Sequence, residues 1–290
     1  MSTFTTAPGP DSTMHDTRRK TRTTACRATL ALLFGAALQS PAHALEDFAS
    51  WDNFNAAAQI APALWQGGER GRLIEGGALH MIQRDLGSQY DNTGLYSTSW
   101  NERLQNPGAI RQLKATVTVN DFAVSGCGAN TTPSTVQARL GGVFFNAGPG
   151  VPSSQVNDIG AVIRFKRDSN SPDAAGLLRV EGLVFQCSTA DCNYDSVVLG
   201  SVDLGLATVG QAAVLKTEWD PAKKRFNFYR DSNPVQRVTY TASDAQTAYV
   251  PSRWIGTRVN LANCLGGPRT EGFMDAKFDN VYVNASAVAP

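Results

Sequence analysis

The sequence predicts an all-β protein in which two antiparallel sheets pack as a sandwich. Apolar and polar residues alternate at period two along most of the chain, which is typical of half-buried strands. Clusters of Gly, Pro, Asn and Asp separate these runs, and no long apolar stripe with a 3.6-residue period occurs between them. Many strands joined by turns favour a sandwich over a nucleotide-binding α/β fold.

The composition is that of a folded, weakly charged protein. The chain has 290 residues with 26 Lys and Arg against 25 Asp and Glu, and 42% of its residues are hydrophobic while 18% are charged. These values exclude a disordered chain, and they disfavour a nucleic-acid partner because the basic residues are few. Residues 45–290 are long enough to bury one large core, so the sequence predicts a single domain there.

The first 44 residues have the order of a secretory signal peptide. Basic residues precede the apolar run 28–38, and Ala42-His43-Ala44 provides small residues at a cleavage point. The run is shorter than the roughly 20 residues of a membrane span, so we expect no membrane insertion. Initiation at Met14 and export by the twin-arginine route through Arg18-Arg19 are alternatives that stay open. We expect 45–290 to be secreted or periplasmic.

Four cysteines remain after the expected cleavage, and they predict two disulfides. Cys187 and Cys192 close a short polar loop. Cys127 and Cys264 each lie in a Gly-containing loop far apart in the sequence. An exported chain favours disulfides over free thiols, and the wide spacing argues against a zinc site. We therefore predict the pairs Cys187–Cys192 and Cys127–Cys264.

The period-two runs predict individual strands and one hairpin. In chain order the strands are expected near 78–83, 113–120, 140–145, 161–166, 177–186, 197–204, 214–219, 236–241, 257–261 and 277–283. Trp219 ends one run, a turn follows at 220–224, and Phe226 begins the next alternation, which is typical of a β-hairpin. Short helices are plausible around 48–60 and 101–113.

Four segments occur in an order that resembles a known superfamily. They are EDFASW from Glu46, ALWQGGERGRLIEGGALHM from Ala63, KTEWDPAKKRFNFYRD from Lys216 and AKFDNVYVN from Ala276. This order resembles that of the concanavalin A-like lectins and glucanases. The resemblance implies a jelly-roll sandwich of two curved antiparallel sheets, over 45–290, with a glycan commonly bound on the concave face or at its rim.

Hydrolases of that superfamily carry acidic residues at alternate positions of one strand, so that both carboxylates face the sugar. The nearest match here is Glu218-Trp219-Asp220, which runs into a proline and has no third acid. We interpret Glu218 and Asp220 as ordinary hairpin residues and assign no catalytic residue.

Polysaccharide lyases also use this sandwich, and they need a base with a group that holds the uronate carboxylate. His80 is the single histidine of 45–290, and its place in an alternating strand favours a structural role. Tyr96 with Arg84 or Arg103 is an alternative that the spacing does not select. A Ser-His-Asp hydrolase is also disfavoured, because it needs a catalytic histidine and the position of His80 favours a structural role.

Tryptophans are the candidate sugar-binding residues, because an indole ring stacks on the apolar face of a pyranose. Trp219 ends the predicted hairpin strand and is expected in the core. Trp65, Trp100 and Trp254 are flanked by polar or Gly-rich residues. We predict that at least one of these three lines a groove, with packing inside the sandwich as the alternative.

The resemblance also implies a structural calcium ion. Many related sandwiches hold calcium with an aspartate in the closing strand and an acidic residue near the amino end, and Asp279 and Asp47 match these positions. Simple strand capping by Asp279 is the alternative.

These observations favour a secreted, non-catalytic domain that recognises an extracellular or cell-wall glycan. Two alternatives stay open: a polysaccharide lyase or glycoside hydrolase of the same superfamily, and a structural or adhesive domain without a sugar site. The densest basic group, Lys223-Lys224-Arg225, lies on the predicted turn, where solvated charge is expected, so nucleic-acid and membrane partners are disfavoured.

Overall fold

The computed structural model describes residues 46–55, 61, 63–66, 72–149, 153–192 and 196–288. The expected signal peptide, 1–44, lies outside the described residues. Within the described ranges, the chain forms strands and three short 3-10 turns, with no α-helix. None of the helices that the structure describes is long and apolar enough to span a bilayer.

Fifteen strands account for most of the described chain. In order, they are β1 (Phe48–Asp52), β2 (Trp65–Gln66), β3 (Arg72–Glu75), β4 (Ala78–Leu86), β5 (Leu95–Leu104), β6 (Gln112–Val124), β7 (Thr135–Asn146), β8 (Asp158–Asp168), β9 (Leu177–Cys187), β10 (Ser196–Thr208), β11 (Ala213–Asp220), β12 (Arg225–Arg230), β13 (Gln236–Thr239), β14 (Gln246–Ala262) and β15 (Glu271–Asn284).

The strands form two antiparallel sheets, which confirms the predicted fold class. Sheet A has the order β13-β12-β11-β6-β15-β4-β3, with β1 also paired to β15. Sheet B has the order β10-β9-β8-β7-β14-β5-β2. The inner faces of both sheets meet in one hydrophobic core. Because side chains alternate between the two faces of a strand, each sheet keeps a second, outward face.

The alternation visible in the sequence explains which face each strand buries. In β6, Leu113, Ala115 and Val117 lie in the core. In β7, Val136 and Ala138 do the same from the opposite sheet. The predicted hairpin is also present, since Trp219 pairs with Phe226 across β11 and β12. The strand predictions are therefore confirmed where the period is strict.

Both helical expectations are wrong over the residues that the structure describes. The window 48–60 contains β1, which pairs with the last strand, β15, while 56–60 lies outside the described residues. The window 101–113 contains the end of β5, a 3-10 turn at Pro107–Ala109 and the start of β6. Tertiary pairing overrides the weak local helical pattern in both places, because a strand can satisfy its backbone groups on a neighbouring sheet edge.

The structure joins Cys127 to Cys264 and Cys187 to Cys192, the two pairs that the sequence predicts. Their Cα atoms are 5.6 Å and 4.9 Å apart, and the loops they close differ in length, with sequence separations of 137 and 5. In the chain-entropy model the longer loop gives the larger stabilisation, roughly 3–5 kcal/mol.

Candidate functional site

A cavity of about 920 Å³ lies on the outer face of sheet B. Strand β7 shows how the sequence places it there. Val136 and Ala138 point into the core, so Gln137 and Arg139, at the intervening positions, point outward and line the cavity. Five further strands, β5, β8, β9, β10 and β14, contribute outward residues in the same way. We call this cavity the groove.

One row of residues across the sheet forms the polar half of the groove. Asn101 on β5 faces Gly256 on β14, which faces Arg139 on β7, and Arg139 faces Arg164 on β8. A Cβ atom at Gly256 would lie 2.1 Å from the carbonyl oxygen of Trp100, so only glycine fits there. The missing side chain leaves room for Arg139 Nη2 to donate to Asn101 Oδ1, at 3.3 Å.

Arg139 is the most unusual residue of the groove. It is only 6% exposed, and its guanidinium lies over the ring of Trp254, 4.4 Å from the centroid. Its Nε has no hydrogen-bond partner among the described residues. Desolvation lowers the pKa of Arg139 well below its usual value, and the nearby charges of Arg258 and Arg164 lower it further. Among the described residues, no carboxylate pairs with this buried cation in the floor of the groove.

The neighbouring arginines are held in place by other side chains. Arg164 Nε donates to Glu181 Oε1 at 2.6 Å. Arg258 Nε donates to Asn260 Oδ1 at 2.8 Å, and its Nη2 donates to Ser97 Oγ at 2.9 Å. These contacts restrain both guanidinium groups, because the N–H donors of an arginine form a rigid fork.

Among the described residues that line the groove, basic side chains outnumber acidic ones. Asp191 is the single carboxylate among the described lining residues, and no histidine occurs among them. The lining arginines are Arg103, Arg139, Arg164 and Arg258.

The other half of the groove is apolar. Val162, Leu183 and Trp254 form a small cluster, separate from the main core, and Phe185 packs against it. A Cβ atom at Gly160 would lie 2.2 Å from the ring of Phe185, so the ring lies directly against the backbone of β8. Phe185 is half-buried and lines the groove.

The three tryptophans singled out in the sequence occupy different places. Trp254 lines the groove but is only 7% exposed, because Arg139 covers its ring. Trp65 is buried and its Nε1 donates to Asp52 Oδ2 at 2.8 Å. Trp100 packs against the main core. The structure therefore brings one of the three to the groove, and ligand binding by any of them stays a prediction.

The acidic pair of the hairpin lies in sheet A, away from the groove. Glu218 Oε2 accepts a hydrogen bond from the Tyr229 hydroxyl at 2.6 Å, and its carboxylate also pairs with Lys216. Asp220 caps the turn at Pro221–Lys223 and pairs with Arg225. Each carboxylate has a partner within its own sheet, as expected of ordinary hairpin residues.

The candidate lyase residues are likewise dispersed. His80 lies on sheet A, where its Nε2 is 2.7 Å from Asp275 Oδ1 and its Nδ1 is 3.3 Å from Glu75 Oε2. Arg84, also on sheet A, pairs with Glu271. Tyr96 and Arg103 are on β5, seven positions apart, so they point to opposite faces. The structure does not bring these residues to one site.

The two aspartates suggested for calcium do not meet. The backbone oxygen of Asp47 accepts from the amide of Ala285 at 2.8 Å, six positions beyond Asp279, which is roughly 20 Å along a strand. Asp279 hydrogen-bonds to Asn280, and burial raises its pKa. No group of three or more His, Cys, Asp or Glu suited to a metal ion occurs in the described ranges. Calcium binding at Asp279 stays a prediction.

Sequence reasoning missed Arg139, Arg164, Arg258 and Phe185. A signal was present for Arg139, because it stands between Ala138 and Leu140 in strict alternation and must therefore point outward. The signal is weaker for Arg258, whose neighbours are Thr257 and Val259. The strand order, β8-β7-β14, then brings the three arginines together. That order cannot be read from the alternation.

No protein-family model and no curated protein matches this sequence. Several solved structures are similar to it. LamAcat from Zobellia galactanivorans has 10% identity and a TM-score of 0.45, over 84% of this chain and 98% of that one. The catalytic domain of an endo-1,3-β-glucanase (laminarinase) from Thermotoga petrophila RKU-1 has 12% identity and a TM-score of 0.44, over 83% and 100%.

A third similar structure is the potassium-bound carbohydrate recognition domain of Emp46p, with 13% identity and a TM-score of 0.38, over 80% of this chain and 96% of that one. At these TM-scores the likeness does not extend to individual residues or to activity. The site must therefore be interpreted from its own geometry.

Proposed function

We propose that the groove of sheet B binds an extracellular polysaccharide and does not cleave it. The observation that carries this proposal is the division of the groove into an apolar half, at Phe185, and a row of amides and guanidiniums beginning at Asn101. A pyranose has apolar faces and a polar rim, so it can stack on an aromatic ring while its hydroxyls reach the polar row. A groove on an open sheet face also suits a chain longer than one sugar.

Binding without cleavage is supported by the side chains at hand. Glycoside hydrolysis usually requires a pair of carboxyl groups about 5–10 Å apart, and Asp191 is the single carboxylate among the described lining residues. Two disulfides support a location outside the cytoplasm, secreted or periplasmic. The enzyme and the adhesive domain are the outcomes against which the proposal is tested.

A glycan array combined with a depolymerase screen tests the proposal, using the folded domain from residue 45 onward. We expect binding to at least one polysaccharide and no shortening of that chain. Phe185→Ala should weaken the binding by about tenfold, because stacking on an aromatic ring is lost. Tyr90→Ala is the matched control, since Tyr90 is 86% exposed and does not line the groove, and it should leave the affinity unchanged.

Three results would contradict the proposal. Shortening of the bound chain would show an enzyme. An absence of binding across the array would favour the adhesive or structural alternative. Equal losses in Phe185→Ala and Tyr90→Ala would place the ligand outside the groove.

A further inference from the structure

We infer that the polysaccharide is anionic and that its carboxylate or sulfate groups bind at Arg139, between Arg164 and Arg258. This inference rests on the proposed function and specifies the ligand of the same groove. It comes from the charge and the hydrogen bonding of the polar row, not from the stacking surface.

The arrangement of the arginines is unfavourable without a ligand. Arg139 and Arg164 occupy directly opposite positions on β7 and β8, where like charges destabilise a sheet. Arg258 lies on β14, the other neighbour of β7. Its direct partner is Gln137, so Arg258 is diagonal to Arg139. Three guanidiniums therefore lie close together. Glu181 pairs with Arg164, and no carboxylate pairs with Arg139 among the described residues.

Arg139 has hydrogen-bonding capacity that the described protein leaves unused. Its Nε has no partner, and its hydrogen bond to Asn101 is long, at 3.3 Å. A buried donor without an acceptor is costly, and more so when it carries charge. The guanidinium lies against the ring of Trp254, and Arg139 lines the groove.

A bound carboxylate or sulfate would reduce both the repulsion among the arginines and the cost of the unpaired Arg139 donor. Its oxygens accept charge-assisted hydrogen bonds, which are shorter and stronger than those to a neutral hydroxyl. Its negative charge also offsets the repulsion among the three arginines. A neutral sugar hydroxyl supplies an acceptor but no charge, so the groove favours an acidic chain over a neutral chain of the same shape.

Matched polysaccharides test this inference, by calorimetric titration of the folded domain. The carboxylated probe is polygalacturonate and its neutral partner is methyl-esterified polygalacturonate. The sulfated probe is dextran sulfate and its neutral partner is dextran. We expect at least one acidic chain to bind about tenfold or more tightly than its partner, and we expect this binding to weaken as NaCl is raised from about 0.05 M to about 0.5 M.

Variants locate the acidic group. Arg139→Met keeps much of the side-chain volume over Trp254 but removes the charge, and it should weaken binding of the acidic chain by about tenfold or more. Binding to neutral chains should weaken by a clearly smaller factor, because a neutral hydroxyl loses a donor but no charge-assisted hydrogen bond. Arg237→Met is the control, because Arg237 is exposed on β13 of the other sheet. Arg258→Met repeats the test if Arg139→Met fails to fold.

The outcomes separate the inference from the proposed function. Equal binding of acidic and neutral chains, or binding of only a neutral chain from the array, overturns the inference and leaves the proposed function standing. Unchanged affinity in both Arg139→Met and Arg258→Met, with a folded protein, also overturns it. A protein that binds no glycan of either kind contradicts the proposed function itself.

Discussion

Two buried arginines, Arg253 and Arg139, lie on opposite faces of sheet B and have opposite surroundings. Arg253 is 1% exposed on the inner face and stacks on Phe144, with 3.6 Å between its guanidinium carbon and the ring centroid. It donates to the backbone oxygens of Ile110 and Ser252, each at 2.7 Å, and to that of Val143. Arg139 also stacks on an aromatic ring but has one long hydrogen bond.

The contrast shows how a buried cation can serve either structure or binding. Burial lowers the pKa of both residues because it disfavours their charged forms. At Arg253, three carbonyl oxygens compensate for that cost, so the residue connects β14, β7 and the segment before β6. At Arg139 no such set exists among the described residues, and an external anion can take its place.

The largest effect is expected at the inner site. Arg253→Met leaves three carbonyl oxygens, two of them in buried hydrogen bonds, without this donor. At about 1–3 kcal/mol for each, it should lower the free energy of unfolding by about 5 kcal/mol. Denaturant unfolding measures this loss. Arg139→Met is the paired variant, and it should change the stability by less than about 1 kcal/mol because no comparable set of acceptors is left unpaired. Similar losses in both variants would remove the contrast between the two sites.

A smaller effect is expected from two glycines of sheet B. A Cβ atom at Gly141 would lie 2.2 Å from the backbone oxygen of Ala161, whereas one at Gly160 would meet the ring of Phe185. A backbone clash cannot relax easily, so Gly141→Ala should cost about 2–3 kcal/mol in thermal unfolding.

The ring of Phe185 can turn aside, so Gly160→Ala should cost only about 1 kcal/mol of stability, yet it should weaken glycan binding because the stacking surface moves. If Gly160→Ala binds glycans as tightly as the unaltered protein, Phe185 is not the stacking surface.

The smallest effect is expected at Asp279. Burial raises its pKa, so its contribution to stability is greater at low pH and is lost as the pH rises through that raised value. A bound calcium ion would instead favour the carboxylate. Because Asp47 lies far from Asp279, we expect EDTA to change the melting temperature by less than about 1 °C. A fall of several degrees, restored by added calcium but absent in Asp279→Asn, would establish the calcium site.

Local sequence patterns predict much of the fold, but they predict little of the candidate site. Strict alternation, as at 113–120, identifies a strand and its buried face, and the turn at Asp220-Pro221 identifies the hairpin. The 17-residue strand β14 was visible only at 257–261, because its first half, from Gln246, mixes exposed and buried residues without a strict period.

The site depends on pairing between distant strands, which local pattern does not contain. Arg139 and Arg258 are 119 positions apart in the chain but lie on adjacent strands, β7 and β14. The tryptophan hypothesis shows the same limit, because the flanking residues of Trp65 and Trp100 are polar although both side chains pack on the core. Flanking polarity does not report the direction of a side chain, whereas strand parity does.

The most direct test is an NMR titration that follows the Nε–Hε signals of both arginines while an acidic oligosaccharide of galacturonate is added. The Arg139 Nε has no acceptor among the described residues, so its Nε–Hε signal should shift as the ligand binds. The Arg253 Hε, held by the carbonyl of Ile110, should stay protected and unmoved. An Arg139 signal that does not shift on saturation, or an Arg253 signal that shifts as much as that of Arg139, would contradict the account.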